Sequence, residues 1–288
     1  PAVEFGKTKP TGITPKVAIS KDMTAIEMFE AGIQNYYEST FVTKLLEETV
    51  STNLGAISSN QYVDSVVYRM GVADENATYL VDNRTGSSFV KMWEESVFRG
   101  TSKIDFRVAL KDNVKYNASS KTGKFEKVKN WNEEQDYSSV DEYVKNKAAN
   151  PTKIWPFITN SDTMQEQSKV WYDGVSDTYR FSLLFNVEEA VGEYGNVLKY
   201  NLEAAGNKLK DFKYETLKYE VVMWSNGLLR SVNITQVYDM KMEVNFGIKF
   251  SGNSRNVSTG FSQFTYNEDE VSGRIEQLKS FEKQQNEV

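Results

Sequence analysis

The sequence predicts an α+β protein: a large curved antiparallel sheet, an unclosed half-barrel, with helices packed on its concave face. Three observations predict it. The first is the run from Val232 to Phe250. Its even positions are apolar (Val232, Ile234, Tyr238, Met240, Met242, Val244, Phe246, Ile248, Phe250) with the exception of Gln236, and among its odd positions only Val237 is apolar. That period of two belongs to a strand with one wet face and one buried face. A single strand of this length would reach about 60 Å at roughly 3.3 Å per residue, far beyond an ordinary strand. The run therefore bends sharply or is two strands sharing a face, with Gly247 and Asp239 as candidate break points. The second observation is the aromatic content, 13%, with 16 Tyr and 16 Phe. Such side chains suit sheets and pockets better than long helical bundles. The third is the change of period along the chain, in which helical segments alternate with series of short strands.

In chain order, residues 1–19 carry Pro1, Pro10 and Pro15 among Thr, Lys and Gly, and read as a tether or an irregular arm. A start at Pro1 rather than Met suggests a processed chain that has lost a signal peptide or lipid-attachment segment. A disordered cytosolic N-terminus is the alternative. Residues 22–46 read as a helix: Thr24 with Glu27 makes a capping box, and Ile26, Phe29, Ile33, Tyr36, Tyr37, Phe41 and Leu45 recur at helical spacing. Val50–Ile57, Gln61–Met70, Ala77–Asp82, Ser88–Phe98 and Ile104–Leu110 then read as a meander of strands. Turn signals at Asp74–Asn76, Asp82–Gly86 and Arg99–Thr101 separate them. Ser88–Phe98 fits a helix as well. Val114–Asn117 pairs with Lys124–Lys129.

Residues 130–177 form an insertion. Ser139 and Glu142 cap a short helix ending near Ala149, and Pro151 and Pro156 bracket Ile154 and Trp155. The insertion is a moving lid or a connection packed on the sheet. Asp177–Phe185 is a strand. Asn186 caps a second long helix to about residue 209, unless Gly192, Gly195 and Gly206 break it. Tyr214–Trp224 alternates again, and Ser225-Asn226-Gly227 supplies the positive φ angles of a tight hairpin. Gly252–Ser258 reads as a turn and Gly260–Tyr266 as a last strand. Residues 272–288 read as a polar helix or tail. The whole is one domain over residues 20–271.

Composition narrows the chemistry. The net charge of −6 disfavours nucleic acid and anionic membrane surfaces as partners. With 0 His and 0 Cys the chain lacks the commonest general base, thiol nucleophiles and thiolate zinc sites. Gly123-Lys124 is followed by Phe125, so no phosphate loop exists. Acidic pairs such as Glu94-Glu95 and the cluster Asn267–Glu270 read as solvated surface. Matches to the glycosylation acceptor, such as Asn117-Ala-Ser, are those expected in an Asn- and Ser-rich chain. The expectation is a protein that is not an enzyme and carries no cofactor and no metal.

Two features bear on binding. The sheet's apolar face is rich in Met and aromatics at Tyr219, Met223, Tyr238, Met240, Met242 and Phe246. Met adapts to varied apolar ligands, so this face is either a ligand surface or a core beneath the helices. Trp155 and Trp171 lie near expected loops, where exposed rings would stack on sugar or peptide and buried ones would serve ordinary packing.

The leading helix from Thr24 to Leu46 feeds strands after Glu47. A late hairpin, Tyr219–Ile234, turns through Asn226-Gly227-Leu228-Leu229-Arg230-Ser231-Val232. In this plan, over residues 22–266, the chain resembles the bacterial lipoprotein-carrier superfamily of LolA, LppX and LprG type. The resemblance implies an exported bacterial protein, anchored at the cell surface through an N-terminal lipid or secreted. It also implies a lipid or other apolar ligand held between sheet and helices. The alternative is a surface adhesion protein that recognises glycan or protein through its loops.

Overall fold

The computed structural model describes residues 6–73, 77–93, 95–111, 114–118, 124–128, 153–192, 194–204, 208–245 and 249–268, with single residues at 122 and 283. Helix α1 runs from Ala25 to Glu38. Thr24 accepts from the Glu27 amide and Glu27 reaches back to the Thr24 amide, so the capping box forms as its spacing predicts. The helix ends eight residues before the expected Leu46, and the chain enters β1 (Phe41–Leu54) directly. The β-branched residues Thr40, Val42 and Thr43 weaken the helix there. Pairing on both sides, with β2 (Ile57–Met70) and β12 (Lys249–Thr265), then favours extended backbone.

The strands that follow are longer than their turn signals suggest. β3 spans Thr78–Met92 and β4 spans Glu95–Lys111. The expected turns at Asp82–Gly86 and Arg99–Thr101 lie inside these strands, the first as a register shift between Asn83 and Thr85. Ser88–Phe98 is not helical: strand β3 ends at Met92, Trp93 turns with φ of 48°, and β4 begins. β5 (Val114–Ala118) and β6 (Phe125–Lys127) pair as expected. After the insertion come β7 (Met164–Gln167), β8 (Trp171–Asp173) and β9 (Thr178–Phe185). Asn186 caps α2 (Val187–Val191), which breaks at Gly192 and resumes as α3 (Tyr194–Ala204).

β10 (Lys208–Trp224) and β11 (Leu229–Asn245) form the late hairpin. Its turn differs from the expected one. Only Gly227 has positive φ, at 96°, and the Trp224 amide donates to the Leu228 carbonyl across a three-residue loop. The long alternating run is two strands: β11 folds back on β12 so that Val244 pairs with Phe250. Residues Gly252–Ser258, expected as a turn, are strand, because β12 lies between β1 and β11 and both neighbours supply ladder bonds.

Among the described residues the result is a 12-stranded unclosed sheet in the order β6-β5-β4-β3-β2-β1-β12-β11-β10-β9-β7, with β8 also paired to β9. Its pairs are antiparallel. The first and next-to-first meanders meet at β1 and β12, so the chain's two halves join through its earliest and latest strands. Helices pack mainly against β7, β9, β10 and β11. Residues 6–19 are docked on the body. Arg230 donates to the Gly6 carbonyl at 2.9 Å, Asn35 exchanges two bonds with the Val17 backbone at 2.9 Å each, and Lys9 reaches Asp177 at 2.5 Å. The expected helices at 139–149 and 272–288 lie outside the described residues.

Candidate functional site

Tyr219 and Met223 lie beneath α1 and are completely buried. Phe29 of α1 meets Tyr219 edge-on at 5.8 Å, and Met223 presses so closely on Gly32 that a Cβ there would fall 2.8 Å from its Cε. This end of the concave face is closed by packing. The described end of the insertion closes it further. Ile154, Trp155 and Phe157 are buried in the same cluster, Trp155 stacks on Phe29 at 5.8 Å and meets Tyr219 at 5.1 Å, and the Ile158 amide donates to the Ala190 carbonyl. The expectation that Trp155 stands on the surface is therefore corrected: it is 9% exposed, whereas Trp171 is 61% exposed. A Trp flanked by Ile154 and Phe157 has enough apolar neighbours to enter the core, whereas Trp171 sits on a short edge strand.

Tyr238, Met240 and Met242 lie further along the same face of β11, buried. Tyr238 packs against Tyr214 at 5.1 Å and Phe212 at 5.5 Å. Gln236, the one polar residue of the alternating face, is buried there and accepts the Tyr214 hydroxyl at 2.8 Å. Phe246 lies outside the described residues.

Register extends this surface across β12 to β1. Tyr238 faces Asn256, and Asn256 faces Thr52; Gln236 faces Ser258, and Ser258 faces Val50; Ile234 faces Gly260, and Gly260 faces Glu48. Thr52 bonds Asn256 at 2.7 Å, which places the two side chains on one face. Leu46 lies against Gly260 and Leu54 against Gly252. Above this floor Leu46, Val50, Thr52 and Glu48 are only half-buried. The concave face thus has two parts: a filled end under α1 and the 154–158 segment, and a recess between β1 and β11 floored by β12.

Two charges line the recess, and the sequence analysis missed both. Lys44 donates to the Ile154 carbonyl, and burial pulls its ammonium down to about 8, partly offset by Glu48. Burial likewise raises the Glu48 carboxyl, partly offset by Lys44. Extending the helix to Leu46 hid them, because the even positions Val42, Lys44, Leu46, Glu48 and Val50 share a face only in a strand. The ammonium of Lys44 is disfavoured in the native state, so below pH 8 its burial costs stability. Between pH 8 and about 10.4 the unfolded chain holds the extra proton, and stability rises with pH through that window. Lys44→Met is expected to remove about 1–2 kcal/mol of that rise, after allowance for the part of the side chain that water still screens. Urea titrations of both proteins at pH 7.5 and 10 check it; parallel pH profiles would refute it.

No protein-family model matches the chain, and no curated protein matches it. Among solved structures, one describing lipid–protein interactions in lipovitellin is 9% identical, with a TM-score of 0.37, over 80% of this chain. The chain spans only 25% of that lipovitellin chain. A LolA superfamily protein from Nitrosomonas europaea is 9% identical with a TM-score of 0.26, over 84% of this chain and 92% of its own. A porin-like protein from Bacteroides uniformis is 11% identical with a TM-score of 0.22, over 80% of this chain and 96% of its own.

Proposed function

We propose that the protein is a non-enzymatic, exported bacterial binding protein that holds an apolar or lipid-like ligand in the recess between β1 and β11. The observation that carries this reading is the uneven cover of the concave face. α1 and the 154–158 segment fill one end, while Leu46 and Val50 of β1 remain half-buried, in register across β12 with Val232 and Gln236 of β11. An apolar ligand would complete the burial of these side chains, at about 25 cal/mol per Å² of apolar surface removed from water. Met240 and Met242 would adjust to chains of different shape.

Native mass spectrometry after mild extraction is expected to show a retained lipid-sized ligand, and the emptied protein should bind Nile red. Leu46→Glu should weaken Nile red binding at least tenfold while leaving the thermal midpoint within a few degrees, because the residue is already partly solvated. Failure of both ligand retention and Nile red binding would remove this reading. The export part is tested by the codons upstream of Pro1, where a signal peptide ending in a lipidated Cys is expected.

A second reading is favoured by one hairpin. Trp171 (61%), Tyr172 (48%) and Val175 (100%) stand exposed around the β8–β9 turn, an arrangement suited to stacking on glycan or protein. Glycan or host-protein binding that is lost in Trp171→Ala would support it.

A further inference from the structure

The outer face of the sheet, opposite α1, gathers two arginines at the β8–β9 corner. On β9, Phe181, Leu183 and Phe185 are buried on the α1 side, so Arg180 points outward. Trp171 is its partner in register on β8, which sets the indole beside the guanidinium on that face. On the other side of Arg180, β10 meets β11 at a bulge. Val222 pairs with Ser231 and Met223 with Leu229, and Arg230 is the extra residue between them. Arg230 lies 4.7 Å over the ring of Trp224, which pairs with Thr178 two residues before Arg180, and its Nε donates to the Gly6 carbonyl at 2.9 Å. The Arg230 guanidinium is drawn below its usual range, first by burial and next by the positive charge of Arg180, with Asp173 opposing. The two cations therefore share one corner.

Their counter-charge is incomplete. Asp173 lies 3.7 Å from Arg180 Nη2, too far for a hydrogen bond, and its other oxygen takes the Val175 amide at 3.0 Å and the Ser176 amide at 3.4 Å. Asp177, also in this turn, is taken by Lys9, Tyr172 and Ser225. The corner is open to solvent: the Arg180 side chain is 42% exposed and Trp171 is 61% exposed.

We infer that this corner binds an acidic sugar, its carboxylate or sulfate seated between Arg180 and Arg230 and its ring laid on Trp171. The inference rests on the glycan reading of the β8–β9 hairpin given above and adds the chemistry of the sugar. Guanidinium groups with free N–H donors suit planar or tetrahedral oxyanions. An acidic peptide would satisfy the arginines with no need of the indole, and an apolar ligand would cover the indole and leave the charges unmet. A sugar acid uses both, since its C–H face can lie on an aromatic ring while its hydroxyls stay in water. Two residues along β9 the charge reverses, because Ser182 faces Glu220, so the acid group belongs at the Arg180 row. The net charge of −6 repels a long polyanion, which favours a single terminal acid group.

The test is calorimetric titration of the full chain at pH 7.5 and low salt with sialyllactose, lactose and tetraglutamate. Sialyllactose should bind at least about tenfold tighter than lactose or tetraglutamate. Salt at about 0.5 M should remove most of that margin, because the charges are exposed. Arg180→Gln should bring the two sugars within about twofold of each other and leave the thermal midpoint within a few degrees, as expected for a half-exposed side chain. Trp171→Ala should weaken both sugars. Equal binding of sialyllactose and lactose would overturn the acid site and leave the stacking reading standing. Tetraglutamate binding as tightly as sialyllactose would overturn the sugar in favour of an acidic protein partner. A margin that survives Arg180→Gln would overturn the arginine pair as its source. Binding of neither sugar would remove the inference and the glycan reading together.

Discussion

Trp155→Ala should destabilise the protein by about 3–5 kcal/mol, the usual cost of removing a buried aromatic from a core. The indole lies between Phe29 of α1 and Tyr219 of β10, and its N–H donates to the Thr159 hydroxyl at 2.9 Å. Removing it leaves a cavity where helix, sheet and the end of the insertion meet, and none of the three can close it alone. The adjoining contacts would loosen as well: Phe157 packs edge-on against Tyr194 of α3 at 5.1 Å, and the Ser161 amide donates to Glu30 of α1 at 2.7 Å. Trp171→Ala is the matched control. That ring is mostly in water, so its removal should change stability by no more than about 0.5 kcal/mol. Urea unfolding of the two variants side by side checks the pair. Equal midpoints would mean that Trp155 does not hold the insertion in the core. The comparison also sharpens the adhesion reading, since loss of binding in the Trp155 variant would report unfolding, whereas loss in the Trp171 variant would report the surface.

The β11 face was legible because alternation survives wherever one side of a strand is buried. Val232, Ile234, Tyr238, Met240 and Met242 are all inside. The β12 face was not legible, for the opposite physical reason. Ser254, Asn256, Ser258 and Ser262 have weak strand preferences and read as loop residues, yet pairing with β1 and β11 makes them strand. The recess was missed for the same reason. Its floor consists of residues that look like surface, and its charges fall in a segment whose aromatic spacing imitated a helix. Tyr219 and Met223 were placed on the correct face, but sequence could not say which stretch of that face the helices would fill. That depends on where α1 and the 154–158 segment come to rest, which is set by contacts more than a hundred residues apart in the chain.

Arg69→Leu is expected to be at least as damaging, for an electrostatic reason rather than one of volume. The guanidinium is 1% exposed and comes from the middle of the sheet, on β2. α1 has no basic residue in its last turn, so its C-terminal carbonyls lack a local cation. Arg69 supplies it. Its Nη2 donates to the Tyr36 carbonyl at 2.5 Å and to the Ser39 carbonyl at 2.7 Å, its Nε donates to the Gly71 carbonyl at 3.1 Å, and it lies over the Tyr36 ring at 5.0 Å. The Tyr37 carbonyl is taken by the Ala73 amide at 3.0 Å. The helix end and the turn after β2 are thus bonded to each other through one side chain. Leucine would fill most of the volume but leave the buried Tyr36 carbonyl and the half-buried Ser39 and Gly71 carbonyls without this donor, and a buried group left unpaired costs about 1–3 kcal/mol. A net loss of about 3–5 kcal/mol is expected. Arg69→Lys should recover only part of it, because a single ammonium cannot span the fork of carbonyls that the planar guanidinium reaches. Urea unfolding gives the magnitude, and amide exchange at Ser39 and Gly71 gives the location. If Arg69→Leu unfolds within 1 kcal/mol of the parent and both amides stay protected, the helix end is held by packing alone, and Arg69 is not what joins α1 to the sheet.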